Sequence, residues 1–130
     1  MTRDEILAMT IGPVIDTLVA EKAMGWVVHP HNTAHWMLAS DDVLCYAVRG
    51  MTSGLDRWAP SINIVAAWQV VERFSRPKSD GDLCMWIHSQ VSFIERDGKK
   101  FWACKFQLDH ATAASAPLAI CRAALIASLT

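Results

Sequence analysis

The chain has 130 residues, 52% of them hydrophobic and 19% charged, with a formal net charge of −1. That length and apolar content suit one folded domain, residues 1–130, with its own core, and exclude a disordered chain. The near-neutral balance, with no basic stripe or tail, argues against a nucleic-acid binder, and no apolar run approaches the ~20 residues of a membrane span.

The four cysteines, Cys45, Cys84, Cys104 and Cys121, show no C-x-x-C spacing, and each sits inside an apolar run. With no secretory signal ahead of them they read as reduced, buried thiols of a cytoplasmic protein. Six tryptophans against one tyrosine supply large apolar area with a polar handle, useful in a core or in a ligand pocket.

In chain order, Thr2-Arg-Asp-Glu5 has capping-box spacing and starts a helical turn ending near Met9. Gly12-Pro13 restarts the chain as a helix that Gly25 stops. On it Val14, Ile15, Leu18 and Val19 share a face with Lys22 at its edge, while Asp16, Thr17 and Glu21 fall mostly elsewhere. Trp26 to His29, Trp36 to Ala39 and Val43 to Val48 read as short strands, separated by turn chemistry at Pro30 to Thr33 and at Asp41-Asp42. Gly50 to Asp56 is a loop.

A helix from about Ile62 to Ser75 follows, opened by Pro60 with Ser61 or Asn63 as cap and closed by Pro77. Ile64, Trp68 and Val71 share its predicted core face, with Val65 beside them. The segment Leu83 to Asp109 reads as a hairpin turning at Asp97-Gly98, the strongest short hairpin signal. That turn pairs Phe93 with Trp102, Val91 with Cys104 and Ile87 with Leu108 on an apolar face, which makes Trp102 core. The other face pairs Gln90 with Lys105 and His88 with Gln107, and carries Trp86 opposite Asp109. Thr112 to Ala116 reads as a linker, and Pro117 opens a last helix, Leu118 to Ala127, apolar almost all round. The order of elements predicts an α/β (α+β) fold with a mostly antiparallel sheet and a C-terminal hairpin plus helix.

Several side chains carry candidate chemistry. Arg122, the one charge on the last helix, holds a ligand phosphate or carboxylate, pairs with an acid such as Glu72, or reaches the surface. Trp58 and Trp26 sit at element ends and are suited to stacking a base. Ser61 and Asn63, at a helix N-terminus, suit ribose or phosphate. Trp86, His88, Gln90 and Lys105 make either a solvated sheet face or a ligand floor. His29, His31 and His35, with Cys45 beyond, match no zinc spacing and read as loop histidines, so no metal is expected. No nucleophile elbow, phosphate-binding loop or dinucleotide fingerprint occurs, so neither a cofactor nor catalysis is expected.

Three segments together resemble a known family. Met1-Thr-Arg-Asp-Glu-Ile-Leu-Ala-Met9 with Leu18-Val-Ala-Glu-Lys-Ala-Met-Gly-Trp26 is similar to the opening of small phage and prophage proteins, the phage ABA-sandwich domain family. Trp58-Ala-Pro-Ser-Ile-Asn-Ile-Val-Ala-Ala-Trp-Gln-Val-Val-Glu72 resembles their central motif, and Ala116-Pro-Leu-Ala-Ile-Cys-Arg-Ala-Ala-Leu125 their C-terminal helix. The family name implies a three-layer α/β/α sandwich. Small phage proteins of this size and architecture include inhibitors that sequester nucleotide immune signals, the Sequestin and Lockin types.

By that analogy the expected function is phage anti-defence in the host cytoplasm. The protein would trap, uncleaved, a cyclic ADP-ribose-like signal made by a bacterial TIR defence enzyme. Its partners would be that small nucleotide and further copies of itself, a dimer or higher homo-oligomer, with no nucleic acid and no membrane. The alternatives are an accessory protein-interaction domain with no small ligand, and a phosphodiesterase-like enzyme using His88 or the His29–His35 loop.

Overall fold

The computed structural model describes residues 1–40, 43–49, 57–75, 89–106 and 109–129. The fold is mixed α/β, with two three-stranded antiparallel sheets and several helices in a sandwich-like arrangement.

Thr2 caps α1 (Arg3–Leu7) in the predicted capping box, its side chain accepting from the Glu5 amide while the Glu5 side chain accepts from the Thr2 amide. Pro13 opens α2 (Pro13–Leu18), which widens into a π-helical segment, Val19–Ala23. Gly25 then takes φ 73°, a conformation that favours glycine, and the Trp26 amide reaches back to the Ala20 carbonyl at 3.0 Å. The buried side of this stretch is Ile15, Asp16, Val19, Ala20 and Ala23, whereas Val14 is 71% exposed. The expected face is therefore rotated by about one residue, because Asp16 is drawn inside to an internal partner.

The first sheet has the order β1 (Val27–Val28), β2 (His35–Ser40), β3 (Val43–Val48), with Trp36 opposite Val28 and Ala47. The second has the order β4 (Ser89–Arg96), β5 (Lys99–Phe106), β6 (Asp109–Ala113). The predicted register holds, with Phe93 opposite Trp102, Val91 opposite Cys104 and Gln90 opposite Lys105. The turn follows from Asp97 and Gly98, at φ 55° and 75°. The Ile87–Leu108 and His88–Gln107 pairs, and the Trp86–Asp109 relation, involve residues outside those described. Strand β6 was not expected. Asp109 to Ala113 alternates polar and small apolar residues, and pairs along β5 instead of leading into a linker.

Ser115 caps α4 (Ala116–Ala127), whose residues are buried except for Pro117, Arg122 and Ala127, which are partly so. The cause is its position. On one side it packs on β5 and β6, which present Cys104, Phe106, Ala111 and Ala113. On the other it meets α1, the π-helical segment and α3 (Ile64–Ser75). A helix enclosed in this way can be apolar all round.

Helix α3 corrects a second expectation. It buries Ala66, Ala67, Val70 and Val71, and leaves Ile64, Val65 and Trp68 at 51%, 71% and 51% exposure. Trp68 is thus a surface residue and not core. Small side chains let the helix lie close on α4, so residue size misled the assignment of faces. Trp102 does pack partly buried against the core, 5.2 Å from Phe93, although Phe93 itself is 54% exposed. Cys104 and Cys121 are free and buried. Cys84 and the side chain of Cys45 lie outside what is described.

Candidate functional site

The turn before α3 is built around an ion pair. Asp16, fully buried, accepts from Arg57 Nη1 at 2.6 Å and from the Ser61 amide at 2.8 Å. Ser61 is also fully buried, and its hydroxyl oxygen accepts from the Gly12 amide at 3.3 Å. Asn63 Oδ1 accepts from the amides of Val65 and Ala66, at 2.8 and 3.3 Å, and so caps α3. Ser61 therefore faces α2, and at this helix end the Val65 and Ala66 amides already have an acceptor.

Trp58 and Trp26 come together, with ring centroids 4.5 Å apart, and both contact the fully buried Trp36, at 6.1 and 6.3 Å. The Trp58 indole N–H donates to Gln69 Oε1 at 2.7 Å, and its main-chain amide donates to the Val48 carbonyl. These three rings join the first sheet to the start of α3 and are half-buried or more.

Arg122 bonds to main chain. Nε and Nη2 donate to the Met9 carbonyl at 3.3 and 2.7 Å, and Nη1 donates to the Thr112 carbonyl at 2.8 Å. Burial lowers its pKa from the ordinary guanidinium value, although it remains the cation. It ties the segment after α1 to β6 through these two carbonyls, and not through the Glu72 pairing weighed above.

Gln90 and Lys105 face solvent on the second sheet, on the side away from α4. His110 of β6 stands opposite Lys105, so amide, ammonium and imidazole form one row across three strands. With Ser92, Ile94 and Ala103 they line a depression of about 270 Å³. Trp86 and His88, expected on the same floor, lie outside the described residues. Neither Asp16, Arg57 nor His110 was singled out beforehand. The alternation His110-Ala-Thr112 was the available signal for the last; nothing local marked the first two as partners.

A family model for the phage ABA sandwich domain matches residues 17–125. The chain belongs to that family. The matched span of this ABA-sandwich domain includes Trp26, Trp58, the Gln90–Lys105–His110 row and Arg122, and leaves α1 outside. A phage protein from Bacillus cereus ATCC 14579, known from its crystal structure, is 23% identical, with 92% of each chain covered and a TM-score of 0.47. Among curated proteins none matches. Among the described residues, no three His, Cys, Asp or Glu side chains are placed to hold a metal ion, and no helix is long and apolar enough to cross a membrane.

Proposed function

We propose that this phage accessory domain acts by binding without catalysis, and that its ligand is an anionic nucleotide signal, cyclic ADP-ribose-like and made by a bacterial TIR defence enzyme, which it holds uncleaved. The observation that carries this reading is the cross-strand row Gln90–Lys105–His110. It sets an amide and an imidazole, both hydrogen-bonding groups, beside a cation on the floor of a depression. Lys105 supplies charge for a phosphate, while Gln90 and His110 can meet base or ribose edges. The exposed side of Ile94 gives an apolar border.

The test is capture. The protein is incubated with a lysate containing the defence signal, freed of unbound ligand, and heat-denatured, and the released nucleotide is identified by mass. Intact nucleotide is the expected product. Lys105→Ala should lower capture roughly tenfold or more, the worth of a charge-assisted hydrogen bond. Release of a cleaved nucleotide would point to a phosphodiesterase-like activity, and no retention of any signal sinks the reading.

A second reading, an accessory domain acting through protein contacts or self-association, is supported by a different observation. Ile62, Ile64, Val65 and Trp68 are all more than half exposed around the start of α3. Sedimentation velocity of the wild type and of Trp68→Glu decides it: a wild-type oligomer that the substitution dissolves favours contact through this surface, and a monomer in both removes self-association.

A further inference from the structure

The side of the second sheet that faces away from α4 carries more than the Gln90–Lys105–His110 row. Register and alternation place further rungs on it: Ser92, Ala103 and Thr112, then Ile94 with Phe101, then Arg96 with Lys99 next to the turn. Lys105, Lys99 and Arg96 are all exposed, and Ile94 and Phe101 are partly exposed between them. No acid shares this side among the described residues. Glu95 pairs with Lys100 on the opposite side, Asp109 stands opposite Phe106 there, and Asp97 occupies the turn. The formal net charge of −1 therefore conceals a face whose charges are all positive.

The cations stand at both ends of the face. Lys99 and Lys105 lie at the two ends of β5, about 20 Å apart at ~3.3 Å per residue. Between them the small side chains of Ser92 and Ala103 leave the depression of about 270 Å³, with Ile94 on its border. Phe101, opposite Ile94, brings an aromatic ring to the same stretch. A mononucleotide held by Lys105 uses one end of this face and leaves Arg96 and Lys99 out of reach. Two separated cationic ends around an apolar, aromatic centre fit a ligand that repeats phosphate and base. Its phosphates meet the cations, and a base lies over Phe101 and Ile94.

We propose that this face binds single-stranded nucleic acid, about four nucleotides at a time, with the strand running along β5. A duplex keeps its bases stacked inside and offers Phe101 none. The inference rests on the reading of the Gln90–Lys105–His110 row as a nucleotide seat, and extends it from one end of the sheet to the other.

The test is fluorescence anisotropy of the full chain with a labelled twelve-nucleotide oligothymidylate, the matching oligouridylate, and a DNA duplex of the same length, between about 50 and 200 mM salt. Both single strands should bind, and the tighter of them identifies DNA or RNA as the partner. Log K should fall by about 2 per tenfold rise in salt, the slope for three phosphate contacts on a single strand. Lys99→Ala should weaken binding roughly fivefold and flatten that slope by about 0.7. Lys100→Ala removes the same charge one residue on, from the other side of the sheet, and should change neither. Phe101→Leu keeps apolar bulk without the ring and should weaken binding about tenfold. Binding of neither strand, equal effects of Lys99→Ala and Lys100→Ala, or a duplex bound as tightly as a single strand each overturns the proposal. A wild type that captures the small signal and binds neither strand overturns this inference and leaves the nucleotide reading standing, whereas strands bound by a protein that retains no signal do the reverse.

Discussion

Arg57 Nη1 meets Asp16 Oδ2 at 2.6 Å, joining the first turn of α2 to a residue forty-one positions later, at the entry to α3. The Asp16 side chain is fully enclosed and that of Arg57 is 16% exposed. Such a carboxylate persists only if its oxygens are satisfied, and here Arg57 and the Ser61 amide do so. Removing the cation alone leaves a buried charge. Arg57→Ala should destabilise the fold by about 3–5 kcal/mol. Replacing both residues, as Asp16→Leu with Arg57→Leu, should cost less than the single change. Urea denaturation of the two variants beside the wild type checks the comparison.

Asn63 and Lys105 were both candidate ligand residues, and the structure separates what they do for the fold. Asn63→Ala removes the cap of α3 and should cost about 1 kcal/mol. Lys105→Ala removes an exposed side chain and should change stability by no more than about 0.5 kcal/mol. Nucleotide capture should respond in the opposite order. Thermal melts beside the capture assay give both readouts.

The tryptophans divide in the same way. Trp36 is fully buried among Trp26 and Trp58, and Trp36→Ala should cost about 3–5 kcal/mol. Trp68 is half exposed, and Trp68→Ala should cost under about 1 kcal/mol. Denaturant midpoints at constant m-value distinguish the two.

Burial pushes the Cys104 thiol up to about 12, and raises that of Cys121 well above its ordinary value, through burial first and then the Asp16 charge and Cys104. Both are protonated in the folded state at a pH where the unfolded chain has begun to ionise. Their contribution is complete below about pH 9 and is lost as pH rises toward the folded values, at up to about 1.4 kcal/mol per pH unit for each thiol. Stability measured at pH 8, 9, 10 and 11 should therefore fall less steeply in Cys104→Ala than in wild type. At pH 8, native alkylation mapped by mass should spare both residues, since the thiolate is the nucleophile.

Local chemistry was legible before any tertiary contact was known. Thr2 with Glu5, Pro13, Gly25 and Asp97-Gly98 specify caps, starts, stops and a turn through φ angles and hydrogen bonds a few residues apart, and each does in the structure what its type implies. The polar row was half legible, since Gln90 and Lys105 follow from the hairpin register, whereas His110 needed the neighbouring strand. Which side of a helix becomes interior was decided only by the tertiary structure. Asp16 is inside because a distant arginine neutralises it, and Trp68 is outside because smaller neighbours pack on α4. Arg122 likewise bonds to two carbonyls, Met9 and Thr112, that chain order does not bring near it. Periodicity measures how apolar residues are arranged along an element, but burial is set by what lies opposite, and for these residues that partner is remote in the chain.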